Sequence, residues 1–168
     1  IVMASIFGAK ALGMGEGELI RCFLMIQAVA FAGALVFGNL ADRIGHKLSI
    51  NITLCVYVAV CGYGMFVRDK SEFWILGAII GLILGGSQAA SRSLLSVLAP
   101  EEHSAKFFGF FALTGKLTTA IGPLFFGLVS QLFSLRAAVG SLAIFFLAGL
   151  GLMAFVREPK LKARVRFS

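Results

Sequence analysis

The feature that most constrains this chain is a succession of continuous apolar runs, each long enough to cross a bilayer and divided from the next by a short polar segment. Leu19 to Ala41, Leu48 to Val67, Phe73 to Ala99, Phe107 to Phe133 and Ala137 to Val156 are such runs. A helix rises ~1.5 Å per residue, so about 20 mostly apolar residues cover the ~30 Å of hydrocarbon. Inside lipid every backbone amide must find its partner within the structure, which leaves helices or a closed barrel. Barrel strands are ~10-residue stretches of alternating polarity. These runs are longer and apolar throughout, so they are read as helices. The chain is 59% hydrophobic and 14% charged, where soluble domains carry roughly 25% charged residues. A soluble fold of this length could not hide that much apolar surface.

The breaks between runs have physical causes. Arg68-Asp69-Lys70-Ser71-Glu72 closes the second run, and Pro100-Glu101-Glu102 ends the third, where proline cannot continue a helix. Ahead of them all, Ile1 to Met14 is apolar but too short to span, and it lacks the basic start and cleavage pattern of a signal peptide. It is expected to be the later part of a helix in a longer protein. The expected architecture is all-α: a six-helix transmembrane bundle over residues 1–156, its first helix truncated, followed by a basic tail over 157–168.

Positive charge in short loops sets orientation. Arg43, Lys47, Lys106 and the tail residues Arg157, Lys160, Lys162, Arg164 and Arg166 fall on one side, and Arg21, Arg68, Lys70 and Arg136 on the other. The richer side, with the tail, is expected in the cytoplasm, and the protein is expected to be a multi-pass component of the plasma or inner membrane. The net charge of +7 sits between apolar runs and in the tail, with no aromatic-interleaved stripe, so nucleic acid is not an expected partner. Lipid is, and the tail suits anionic headgroups.

Cys22, Cys55 and Cys61 lie in or beside apolar runs without metal-type spacing, and they are read as small apolar residues. His46 and His103 sit in loops without metal-ligand company. No phosphate-binding loop, GxSxG or HExxH occurs. No metal, cofactor or enzymatic activity is therefore expected. The acids lie in loops and at helix ends, away from the paired placement that chemistry at membrane depth would need.

The most specific motif is Gly38-Asn39-Leu40-Ala41-Asp42-Arg43-Ile44-Gly45-His46-Lys47. Gly38 would let a neighbouring helix approach, and Gly45 permits a sharp turn between spans. Asp42 is placed to cap a neighbouring helix or pair with a cation, and Arg43 and Lys47 hold the loop on the positive side. The segment resembles the loop signature of the major facilitator superfamily, glycine-x-leucine-alanine-aspartate-arginine-x-glycine-arginine-lysine, and only His46 departs from it, where arginine is usual. Together with Gly85-Gly86-Ser87-Gln88-Ala89-Ala90-Ser91-Arg92-Ser93, Phe107-Phe108-Gly109-Phe110-Phe111-Ala112-Leu113-Thr114-Gly115-Lys116 and Gly122-Pro123-Leu124, it resembles the vacuole-effluxer-like branch of that superfamily, related to autophagy-linked amino-acid exporters. The resemblance covers roughly Ala4 to Val156. It implies a carrier of twelve or so helices of which this chain is the carboxy-terminal half, with the amino-terminal six-helix half as its missing partner and amino acids as candidate cargo.

Read physically, Gly81, Gly85, Ala89 and Ser93 form a small-residue stripe that favours close helix packing. Gln88 and Arg92 share a helical face. Arg92 is about 12 Å from the cytoplasmic end of its span by helical rise. It is read as a gate partner for Asp42 or a cavity residue, with snorkelling to the interface as the alternative. Lys116 falls roughly 15 Å into its span, beyond easy snorkelling, with Thr119 nearby and Gly122-Pro123 after it. It is expected to face a central cavity and bind an anionic group or couple to a proton, or else to pair with the missing half. Gln27, Asn51 and Thr53 are weaker cavity candidates. The functional expectation is a secondary transporter of small solutes working by alternating access, with the Gly38–Lys47 loop latching the cytoplasmic side through contact of Asp42 with the third or fourth long span. The alternative is a non-transporting membrane scaffold or a gene-remnant fragment.

Overall fold

The computed structural model describes residues 2–156, and within them six α-helices follow one another without a strand. They are α1 (Val2–Leu12), α2 (Glu16–Ile44), α3 (His46–Gly64), α4 (Lys70–Leu98), α5 (Ser104–Leu132) and α6 (Leu135–Phe155), with one 3-10 turn, Glu101–His103, between α4 and α5. All but α1 are long and apolar enough to cross a membrane. The basic tail expected over 157–168 lies outside the described residues.

Local chemistry sets the helix ends. At the start of α2, Gly15 N–H donates to Glu18 Oε2 at 3.2 Å. The helix stops at Gly45, whose φ of 96° belongs to the left-handed half of backbone space and lets the chain reverse into α3 without a linker. In the first turn of α4, Glu72 accepts from Arg68 N–H at 3.1 Å and from the Tyr63 hydroxyl at 3.4 Å. α4 ends where Ala99 turns extended before Pro100. Ser134 caps α6, its hydroxyl accepting from Ala137 N–H at 3.1 Å. Pro123 sits inside an unbroken α5.

α4 is the central helix. Nearly half of its apolar stretch is buried, 44%, against 6% for α5 and for α6. It runs parallel to α2, and Lys70 bonds Glu18 at 2.7 Å where the two helices begin. Ala41, Ile50, Ala90 and Leu94 knit α2, α3 and α4 together at the far end, and Phe7, Val67 and Leu76 join α1 and the α3–α4 turn to α4 at the near end. Large apolar side chains such as Phe31, Leu35, Phe110 and Leu152 point outward, as helices surrounded by lipid require.

α3 and α6 form an antiparallel pair. Lys47, in the first turn of α3, donates to the carbonyls of Ala154 at 3.2 Å and Val156 at 2.6 Å, at the end of α6. Arg136, in the first turn of α6, donates to the Met65 carbonyl at 2.8 Å, at the end of α3. Each cation satisfies carbonyls that a helix end leaves without a partner. Tyr57 and Phe146 stack between them with centroids 4.6 Å apart. The Lys47 bond also places the α2–α3 turn and the end of α6 on the same face of the bundle.

Candidate solute groove between α2 and α4

Glycines bring α2 and α4 into backbone contact. A Cβ added at Gly33 would collide with the Leu82 carbonyl, one at Gly85 with the Ala30 carbonyl, and one at Gly81 with the Ile26 carbonyl. So close an approach is available only to residues without a side chain. It fixes the register of the pair: Gly81 lies at Ile26, and one turn on, Gly85 lies at Ala30.

Beside this seam lies a groove of about 280 Å³, lined by Gln27, Ala30 and Ala34 of α2 and by Leu84, Gly85, Gln88, Ala89 and Arg92 of α4. The spacing on each helix is that of a single face. Ala30, Ala34, Gly85 and Ala89 form a floor of small residues that leaves the space open. Gln27, Gln88 and Arg92 are exposed and supply its polar groups. By helical rise Gln88 lies about 15 Å from the end of α4, and Arg92 about 9 Å.

These three side chains differ from six hydroxyls of the spans. Thr53, Ser87, Thr118, Thr119, Ser130 and Ser141 all donate to carbonyls of their own helices. Among the described residues, none of the hydrogen bonds or ion pairs engages Gln27, Gln88 or Arg92. Unsatisfied polar groups at membrane depth are costly, and the groove leaves these three side chains open to water.

The other expected site residues fall elsewhere. Lys116 and Thr119 are on α5, where residues 105–121 are exposed on every face, and neither lines the groove. Asp42 is exposed, and no ion pair joins it to Arg92 or to α5 among the described residues. The reason is rotational. Ala41, 1% exposed, takes the contact with Ala90 and Leu94, and the next residue is turned about 100° away from that seam. Gly38 meets no close neighbour, a Cβ there having open space; the close approach falls at Gly33, Gly81 and Gly85 instead. Gly45 makes the turn, Arg43 is exposed, and Lys47 is committed to the end of α6. His46 is buried, 3% exposed, with Nε2 3.5 Å from the Ser93 hydroxyl.

Long apolar helices with outward-facing apolar surfaces, folded around a polar groove at depth, define a multi-pass helical membrane protein. The family model described as "Vacuole effluxer Atg22 like" matches residues 1–165. The chain belongs to that vacuole-effluxer-like family of the major facilitator superfamily. It is 35% identical over 159 residues to "Uncharacterized MFS-type transporter YxiO" of Bacillus subtilis, covering 94% of this chain and 37% of that protein. It is 33% identical over 139 residues to "Autophagy-related protein 22" of Kluyveromyces lactis, covering 76% of this chain and 28% of that protein. A protein of the same name from Yarrowia lipolytica is 28% identical over 166 residues, covering 91% and 28%. The chain thus spans about a third of the length of the curated relatives it matches.

Proposed function

We propose that this chain forms part of a secondary transporter that moves small solutes across a membrane by alternating access, and that the α2–α4 groove is its contribution to the solute path. The observation that carries this reading is the convergence of Gln27, Gln88 and Arg92, none of them engaged by another described residue, on a groove floored by small residues within membrane-spanning helices. Carriers of this architecture place solute sites near the bilayer midplane, between halves that rock about them. The family supports transport as the activity, and the relatives' length leaves room for a second helical half across the groove.

Lys116 is then a group for the complete protein. It stands on an α5 segment exposed on every face, and in the complete protein it would meet the opposing half, as a partner for a solute anion, a coupled proton or a carboxylate of that half. Asp42 and Arg43, exposed at the α2–α3 turn, are the groups of the loop signature left free to latch against it. The side rich in positive charge is proposed to be cytoplasmic. The family's description names a vacuole, so a plasma or inner membrane location rests on the sequence alone. Amino acids remain candidate cargo by family analogy.

The experiment is uptake by the complete protein in lipid vesicles, with and without a proton gradient, against a Gln88→Leu variant. Wild-type accumulation, reduced at least about tenfold in the variant while the protein still folds, supports the reading. Equal uptake by both would remove the groove from the path, and vesicles that accumulate nothing from a broad solute mixture would favour a scaffold.

A further inference from the structure

We propose that the α2–α4 groove is anion-selective, that Arg92 is its recognition residue, and that it takes solutes bearing a carboxylate; this rests on the groove being a solute path.

The charges around the groove are distributed unevenly. Several cations of the described chain already have acceptors: Arg21 on the Gly17 carbonyl, Lys47 on the end of α6, Lys70 on Glu18 and Arg136 on the Met65 carbonyl. Arg92 has none among the described residues, and its guanidinium lines an open groove. The acids near α2 and α4 stand at their ends, Glu16 and Glu18 at the start of α2, Asp42 at its close, Asp69 and Glu72 around the start of α4, and Glu101 and Glu102 in the turn after it. Among the described residues, none that lines the groove is acidic. A cationic solute would therefore meet one uncompensated positive charge and no carboxylate.

The hydrogen-bonding inventory points the same way. Arginine presents a planar fork of N–H donors that matches a carboxylate edge on, which an ammonium does not. Gln88 lies one turn before Arg92 on the same face and adds N–H donors beside an acceptor carbonyl, and Gln27 does so from α2. The set is rich in donors without being purely cationic, which suits a carboxylate attached to a body with some polarity of its own. At about 280 Å³ the groove is at the lower edge of the ~300–1,000 Å³ typical of drug-sized ligand sites, so the solute is small. A cleft of one charge sign between low-dielectric walls raises the local concentration of opposite ions by roughly 10- to 1,000-fold.

The test uses charged thiol reagents, so it does not depend on knowing the cargo. Ala89, half-buried in the groove wall one turn before Arg92, is replaced by cysteine in the complete protein in lipid vesicles, with Cys22, Cys55 and Cys61 changed to alanine. Modification rates by a methanethiosulfonate carrying a sulfonate and by one carrying a trimethylammonium are each divided by the reagent's rate with a free thiol in solution. The expected ratio favours the anionic reagent at least about tenfold. Arg92→Gln should bring it close to one, and Arg92→Lys should keep most of it, separating charge from a folding defect. Millimolar propionate should slow the modification, and propionamide of the same shape should not. Equal normalised rates for the two reagents, or protection by propionamide as strong as by propionate, would overturn the anion assignment and leave the groove as a path. Failure of both reagents to reach Ala89→Cys would instead remove the path itself.

Discussion

α2 and α4 run parallel and touch backbone to backbone, whereas α3 and α6 run antiparallel and are tied at both ends by side chains. The first pair holds through what its residues lack: Gly33, Gly81 and Gly85 carry no Cβ to keep the helices apart. The second holds through what its residues reach: Lys47 and Arg136 each extend from the first turn of one helix to the last carbonyls of the other. The difference has a consequence for function. Small residues at the α2–α4 seam leave unfilled space beside it, and Gln27, Gln88 and Arg92 face that space. The α3–α6 pair spends its cations on helix ends and fills its middle with the stacked rings of Tyr57 and Phe146, so it serves as a strut. One of the cations spent there, Lys47, belongs to the loop signature and is therefore not free to act in a latch.

Substitutions should separate the two kinds of joint. The largest effect is expected at Gly85→Leu, because its side chain would enter the space of the Ala30 backbone, which has no rotamer to move. The cost should exceed about 3 kcal/mol, the upper end for overpacking a tight interface. It would be read as loss of monodisperse protein in mild detergent, and a normal elution profile would break the claim of backbone contact. Lys47→Met should cost about 1.5–3 kcal/mol, since it removes a charged donor from two helix-end carbonyls. Unfolding by added SDS would measure it, and an unchanged midpoint would mean that the joint is ornamental. Arg136→Met removes a single bond from a charged donor and should cost about 1.5 kcal/mol, the lower end for such a bond. Because the two clamps stand at opposite ends of α3, the Lys47→Met/Arg136→Met double variant should show additive losses within about 0.5 kcal/mol. A larger deviation would mean that the pair opens as one unit. The smallest change is expected at Gly38→Ala, which adds a methyl into open space. It should be neutral or stabilising by up to about 1 kcal/mol through helix propensity, and a marked loss would show that this glycine has a close neighbour in the complete protein.

The helices were legible because lipid imposes a length and a polarity that the sequence displays directly. Each of the five long runs reappears as a helix whose ends move by about three residues or fewer, the shifts being polar end turns such as Glu16–Glu18 and Ser104–Lys106 that hydropathy leaves out. Gly45 was legible as a turn because few residues other than glycine accept its φ of 96°. Gln88 and Arg92 on one face followed from helical period alone. Their company was not legible, since the register of α4 against α2 is set by contacts between distant parts of the chain. One signal for it stands in the sequence: Ala30, Ala34 and Gly38 repeat on α2 the four-residue spacing of small residues seen on α4 in Gly81, Gly85, Ala89 and Ser93. The C-terminal cap made by Lys47 joins residues more than 100 positions apart, and no local pattern encodes it. Counting residues puts Lys116 at depth, but depth along a helix does not give direction around the bundle, and Lys116 is not among the residues that line the α2–α4 groove.

The central claim, that water reaches a polar groove on helices otherwise surrounded by lipid, is tested most directly by spin-label accessibility in bilayers. Labels are placed in turn at Gln88, in the groove, and at Leu35, exposed on α2 next to the groove residue Ala34. The account predicts that relaxation of the label at 88 responds mainly to a water-soluble nickel chelate, and that of the label at 35 mainly to oxygen dissolved in the lipid. Oxygen-dominated relaxation at both positions would contradict it.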